Sequence, residues 1–529
     1  MKHRPLTLLI ILALCFIPIT TACSKGTDKS SSIIYGLTLS PSGIDPHLNA
    51  SSELGIPLAS VYDTLVFRDP ATGEFVPGLA ESWSISPDGL NYTFFLRRDV
   101  TFHDGTVFNA QAVKANLEYV MNPDHHSQKA VFMLGPLQDV EIIDDYAVVL
   151  YLSEPFAPLL DSLSDVYLGM ASPTALETWG PTEYQFHQVG TGPYRFVEYI
   201  PNDKITITRN PNYAWAPSIY QNTKAEIETI VFRFYEDSAT RAIALESGEV
   251  DIIGEIPPHD ADRFAVSSDF TLYPIAIPGQ PMQLFFNTDR IPTNDVLVRR
   301  ALIHAINRPQ AVKTVFGVYS TVAQSPFLAS SFNLETQEPF PDYDPEAAGE
   351  FLDEAGWMMV EENGYRSHDG TPLDLHIIVP TWGSNPEIAQ LIRADWEAIG
   401  ARVSLEIAPG FGPLKEAQAE GDYHAIGINL FSTDPDLLRS FYTSTGLYNW
   451  SKFEDPEIDR LLIRASQESL DHDARLSLYE QASSRVQEEA LVLPIRNYVN
   501  LVAVNNRVEG LHFTAQGWYP ILIDLQLAP

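Results

Sequence analysis

Residues 385–407 read NPEIAQLIRADWEAIGARVSLEI, and they set the fold class. Ile388, Leu391 and Ile392 share one face at a 3.6-residue repeat, which predicts an amphipathic helix. Val403, Leu405 and Ile407 then alternate with Ser404 and Glu406, the two-residue repeat of a half-buried strand. A helix that hands over directly to a strand is the unit of an α/β lobe.

The same unit recurs on either side. Asp344-Pro345-Glu346 supplies an N-cap, a proline at the first helical position and an acid in the first turn. Ala347, Ala348, Phe351, Leu352 and Ala355 form its apolar stripe, and Gly356 ends it. Asp455-Pro456-Glu457 repeats that start ahead of Ile458, Leu461, Leu462 and Ala465; Val298, Ala301, Leu302 and Ala305 make a further stripe. In the first half strands dominate: Asn91–Arg97, Ile205–Arg209 and Ile230–Tyr235 are rich in β-branched and aromatic residues. Two apolar runs read as crossings between lobes. One is Leu284–Thr288; the other leads from Leu491–Ile495 through Arg496-Asn497 into Tyr498–Val504. Paired crossings make a hinge that bends and resists twisting.

The chain has 529 residues, 45% hydrophobic and 19% charged, more than one core organises, so two or more lobes are expected. With 69 acidic and 33 basic residues the formal charge is -36, which repels phosphate backbones and argues against nucleic acid as a partner. Lys2 and Arg4, the apolar run Leu6–Ile19 and Thr20-Thr21-Ala22-Cys23 read as an export leader over residues 1–22, with Cys23 the lipidation site. Thr20 stands where such a motif usually has Leu; the alternative is plain secretion after Ala22. Cleavage removes Cys15 with the leader and leaves Cys23 as the only cysteine, so disulfides and cysteine-based metal sites are excluded. Residues 23–32, polar and small, read as a tether to the membrane.

A set of motifs stands in order along the chain: Val61–Val66, Pro77–Trp83, Tyr92–Arg97, Phe102-His103-Asp104-Gly105, Gly190–Tyr194, Asn210–Tyr213, Asn287-Thr288, Asp344–Gly356, Ile399–Val403 and Asp455–Asp459. Together they resemble the peptide- and nickel-binding class (family 5) of extracellular solute-binding proteins of ABC importers, from about Ile34 to near the C-terminus. The resemblance implies an α/β, class II periplasmic-binding-protein fold: two lobes, a two-strand hinge and an inserted third domain. Lobe I would comprise residues 33–64, 189–286 and 495–529, the inserted domain 65–188, and lobe II 287–494. It implies an extracytoplasmic, lipid-anchored monomer that closes on a small solute and delivers it to a permease and ATPase complex, with no cofactor and no catalysis.

Relatives that take dipeptides hold the ligand ammonium with an Asp three residues before an Asp-Pro pair, and its carboxylate with an Arg three residues before an Asn-Pro pair. Asp434-Pro435 and Asn385-Pro386 put Phe431 and Trp382 at those places, so the charged dipeptide clamp is not carried over. Phe431 and Trp382 either line a flatter, apolar pocket or pack as ordinary aromatics. Asp434 and Asp436 either receive a ligand amine or cap the helix that starts there. Asp45-Pro46-His47 either shapes the pocket or forms a turn. Gly190–Tyr194 reads as a tight strand-to-strand turn. His125-His126 reads as a surface loop, and Leu447 stands near the place where nickel-binding relatives carry a His, so no metal site is expected. No Gly-x-Ser-x-Gly or His-Glu-x-x-His motif points to an enzyme. The expected ligand is an oligopeptide; the alternatives are an oligosaccharide, a nickel chelate, or a sensing role on the same fold.

Overall fold

The structure, a computed structural model, describes residues 31–38, 40–41, 43–327, 340–360 and 364–529. The leader, Cys23 and the tether up to residue 30 lie outside the described residues.

Residues 374–408 form the predicted unit. Strand Asp374–Pro380, helix Asn385–Ala398 and strand Arg402–Ala408 follow one another, and the two strands pair in parallel. Ile388 and Ile392 are buried on the helix face that covers the sheet. The other predicted helices start as their caps require. The Asp344 side chain accepts from Ala347 N at 3.0 Å, and Asp455 accepts from Glu457 N at 2.8 Å.

Three sheets carry the architecture. Lobe I holds seven strands in the spatial order Phe270–Ala276, Val499–Asn505, Ile252–Ile253, Ser32–Leu37, Thr229–Phe234, Lys204–Arg209 and Tyr194–Ile200. Lobe II holds five, in the order Arg402–Ala408, Asp374–Pro380, Ala425–Gly427, Met282–Phe286 and Val492–Arg496. The inserted domain is built on an antiparallel sheet ordered Ala80–Ile85, Asn91–Leu96, Ala147–Leu152 and Leu137–Asp144.

Of the two predicted crossings the second is present, while the first lies ahead of Leu284–Thr288, whose Leu284–Phe286 is already part of a lobe II strand. The chain leaves the lobe I strand Phe270–Ala276 and enters the lobe II strand Met282–Phe286; it returns from Val492–Arg496 into Val499–Asn505. The two passages run side by side, with Ala276 opposite Val499 and Met282 opposite Arg496. The crossings therefore lie at residues 277–281 and 497–498. Met282–Phe286 belongs to the lobe II sheet, not to lobe I as its place in the sequence implied: its five residues are all buried, as a strand covered on both faces must be.

Lobe I and the inserted domain share one hydrophobic core, in which Ile33, Tyr35 and Phe232 join Tyr92, Phe94 and Leu150 through Tyr62, Leu65 and Leu168. Lobe II has its own, around Phe285, Phe286, Trp396, Ile377 and Leu462. Each such side chain contributes about 1.5–3 kcal/mol on burial. Gly190 and Gly192 serve this joint core differently from the expected turn. A Cβ on Gly190 would stand 2.0 Å from Val61 O, and one on Gly192 2.4 Å from Ser60 O. They are glycines because the chain passes backbone to backbone over Ser60-Val61, with Gly192 N donating to Val61 O at 2.9 Å.

Candidate functional site

The crossings and the loops beside them form a cluster of aromatic side chains. Gln280 N donates to Leu430 O at 2.9 Å and Ser432 N to Pro278 O at 3.2 Å, which ties the lobe II loop 429–433 to the first crossing. Gly279 pairs with Phe431 here at a φ of +124°, and a Cβ on it would stand 2.6 Å from Leu430 O, so glycine is required. Pinned in this way, Phe431 sets its ring 4.8 Å from Tyr498 of the second crossing and 5.3 Å from Trp518 of lobe I. Three rings from lobe II, hinge and lobe I thus meet at edge-to-face and tilted angles.

Trp382 sits in the loop after strand Asp374–Pro380, at the carboxyl end of the parallel strands, where open α/β sheets place their ligands. It is 37% exposed, and its carbonyl accepts from Asn385 Nδ2 at 2.7 Å. A Cβ on neighbouring Gly383 would lie 3.6 Å from the Tyr498 hydroxyl, so this loop and Phe431 both border Tyr498. From lobe I, the Glu255 carboxylate accepts from that hydroxyl at 3.5 Å.

Asp434 and Asp436 face away from this cluster. Both oxygens of Asp434 are taken by Arg475, at 2.8 and 2.7 Å, and Asp434 Oδ1 also accepts from Asp436 N at 2.8 Å. Burial pushes the Asp434 carboxyl up, but the charge and hydrogen bonds of Arg475 outweigh it and hold it below the usual range. Asp436 is held by Arg439 at 2.7 Å. Their partners lie far along the sequence or inside the next helix turn, and the Asp-Pro-Asp spacing carried no sign of them.

Asp45 and His47 lie deep between lobe I and the inserted domain, each 1% exposed. His47 Nδ1 is 3.0 Å from Asp45 Oδ1 and Nε2 is 2.7 Å from Gly169 O, while Tyr119 donates to Asp45 Oδ2 at 3.2 Å. Every side-chain polar atom of the pair is engaged. His125 is held by Tyr119 O and Asn122, Leu447 is 61% exposed, and no group of His, Cys, Asp and Glu among the described residues is arranged to hold a metal ion.

The inserted domain closes the third side. Asp161 pairs with Arg68 at 2.5 Å and accepts from Thr433 Oγ1 of lobe II at 2.6 Å, and Ala157 N donates to Ser466 O at 2.7 Å. Two cavities lie elsewhere: one of about 30 Å³, room for a single water, under Arg68 and Tyr519, and one of about 510 Å³ on the inserted domain beside Tyr119 and Pro181. Neither is lined by Trp382 or Phe431. Sequence reasoning weighed Trp382 and Phe431 but passed over Gln280, Tyr498 and Trp518. The one available signal was the polar Arg496-Asn497-Tyr498 interrupting two apolar strands.

Two lobes on paired crossings, with aromatic side chains from both meeting at the hinge, define a clamshell binding protein. The chain belongs to the bacterial extracellular solute-binding proteins, family 5, whose middle-region model matches residues 74–452. It is 29% identical over 546 residues to heme-binding protein A of Haemophilus influenzae, covering 96% of this chain and 94% of that one. Among solved structures it superposes on NikA from Brucella suis in complex with Fe(III)-EDTA, with a TM-score of 0.84, 27% identity and coverage of 94% and 100%. It also superposes on the periplasmic binding protein DppA from Helicobacter pylori in complex with the peptide STSA, with a TM-score of 0.75, 25% identity and coverage of 94% and 98%. Among the described residues no helix is long and apolar enough to cross a membrane.

Proposed function

We propose that this protein is the extracytoplasmic receptor of an ABC importer, taking up a peptide-like solute between its lobes and presenting the closed form to the permease. Lobe I comprises residues 33–64, 189–276 and 499–529, the inserted domain 65–188, and lobe II 282–496. The observation that carries this is the ring cluster of Phe431, Tyr498 and Trp518, which draws on both lobes and the hinge and so changes when they move. A solute enclosed there stabilises the closed state because only there does it touch both lobes. Trp382 and Phe431 supply flat apolar walls, which suit a peptide backbone held without the dipeptide clamp. Asp434 and Asp436 shape the loop beneath, and Asp45 and His47 fasten lobe I to the inserted domain. The work is done by closure, without covalent chemistry, and Cys23 carries the lipid that keeps the receptor at the membrane.

A metal–chelate is the second reading, favoured by the likeness to the Fe(III)-EDTA complex of the Brucella protein. Native mass spectrometry of the purified protein, followed by thermal-shift screening with peptides, oligosaccharides and nickel or iron chelates, separates the readings. Stabilisation by peptides supports the first; stabilisation by chelates or sugars and by no peptide overturns it. Loss of membrane retention in Cys23→Ser tests the anchor.

A further inference from the structure

Among the described residues, buried arginines have their N–H groups satisfied, with one exception. Arg241 donates to three backbone carbonyls, Arg299 to the carbonyls of Thr293, Asn294 and Glu489, Arg308 to those of Ala323, Pro494 and Pro341, and Arg475 to Asp434. Arg496 is 4% exposed, and its surroundings are two rings: the guanidinium carbon lies 3.9 Å from the Phe316 centroid and 4.5 Å from that of Tyr498. Its Nε has no hydrogen-bond partner, and among the described residues no carboxylate stands within 4.0 Å of it. Burial pulls its pKa down to about 10, with the Tyr498 hydroxyl the only group acting against that. Gln280, in the neighbouring crossing and 1% exposed, uses Oε1 on Leu430 N but leaves Nε2 unpartnered.

A buried cation with no carboxylate partner and an open Nε–H, and an unpaired buried amide N–H, are costly unless a guest completes them. We propose that Arg496 and Gln280 form an anion-receiving floor of the inter-lobe cleft, and that the solute is fixed there by a carboxylate group. This rests on the proposed reading of the cleft as the solute site and narrows its ligand class. A guanidinium held against two rings is fixed in place, as bidentate capture of a carboxylate requires. Its placement accounts for Trp382: the position where dipeptide-binding relatives carry a carboxylate-binding Arg is aromatic here, and the positive charge enters instead from the crossing strand. Because Arg496 ends the strand that leads into the second crossing, its pairing acts on the hinge itself. The carboxylate belongs either to a peptide C-terminus or to an organic chelator.

Isothermal titration of the purified protein with a pool of tri- to pentapeptides, the same pool C-terminally amidated, and Fe(III)–EDTA tests this. The free-acid pool is expected to bind at least about tenfold more tightly than the amidated pool, and Arg496→Met to lose that preference, while Arg496→Lys retains part of it. Binding of Fe(III)–EDTA alone, lost in Arg496→Met, assigns the carboxylate to a chelator. Equal binding of acid and amide pools, or an unchanged preference in Arg496→Met, overturns the carboxylate floor and leaves the peptide reading standing. No binding of any probe by the wild-type protein overturns both.

Discussion

Two seams run through this molecule, and they are built on opposite principles. Where lobe I meets the inserted domain, the hydrophobic core is continuous and the polar groups are paired, His103 Nδ1 excepted. His47 bridges to Gly169, the Tyr62 hydroxyl stands 2.8 Å from that of Tyr184 and donates to Gln188 Oε1 at 2.8 Å, and nearby Asp63 collects Thr191, Tyr213 and Trp215. Where lobe I meets lobe II, the cores are separate, two short passages connect them, and Arg496 and Gln280 carry unmet donors. The first seam makes one rigid body of two domains. The second is left incomplete, and a receptor that must open and shut needs its incompleteness in the place where the solute arrives.

The largest effect is expected inside lobe I, beside the seam with the inserted domain, where residues 33–64 are tied to the segment that returns after it. Asp63 is buried and accepts from Thr191 Oγ1 at 2.9 Å, Tyr213 OH at 3.1 Å and Trp215 Nε1 at 2.8 Å. Asp63→Ala strands three buried donors, at about 1–3 kcal/mol each, and should destabilise the protein by about 5 kcal/mol. Urea unfolding that shows a loss under about 1 kcal/mol would mean lobe I is not held together by this cluster.

Arg475→Met comes next, at about 3–5 kcal/mol, because it leaves Asp434 charged and buried without its ion-pair partner. The pH dependence follows from the sign of the shift. The folded-state pKa of Asp434 is lowered, so its stabilising contribution is present above the unfolded value, about 3.9, and is lost as pH falls through the lower folded value. In the variant, burial without Arg475 raises that pKa, and protonation then relieves the cost. The gap between wild type and variant should be widest near pH 7 and narrow below about pH 4, read from urea midpoints; a gap constant with pH would contradict the pairing.

The difference between the seams also governs what could be read from the sequence. The strand–helix–strand unit around Asn385–Ile407 was legible because its periodicities are local, as were the caps at Asp344 and Asp455. The second crossing was legible between two apolar runs, but the first was placed too late, at Leu284–Thr288, since a strand buried on both faces, as Met282–Phe286 is, carries no alternation to show which sheet owns it. Asp434 reads as either an amine receiver or a helix cap because its partner Arg475 lies 41 residues further on. Arg496 escaped notice for the reverse reason: a lone arginine in a strand reads as exposed until its neighbours prove to be Phe316 and Tyr498.

Phe431→Ala acts on the incomplete seam. Losing the contacts with Tyr498 and Trp518 should cost about 1–2 kcal/mol in stability, and solute affinity should fall by about tenfold or more if the ring also walls the cleft. Calorimetry on the variant separates the two: an unchanged affinity with a lowered thermal midpoint would make Phe431 a packing residue only.

The smallest effect tests how the inserted domain takes part in closure. Thr433 Oγ1 donates to Asp161 Oδ1 across the gap between lobe II and the inserted domain, and Asp161 keeps its Arg68 partner when that bond is removed. Thr433→Val should therefore change global stability by no more than about 1 kcal/mol. The lost bond exists only while the lobes are together, so its whole value falls on the open–closed equilibrium, about a two- to fivefold shift toward open. Small-angle scattering of the solute-free variant should show a larger radius of gyration than the wild type. If saturating solute restores the wild-type value, the Thr433–Asp161 bond is a latch on the moving seam, and the welded seam behind it has stayed fixed.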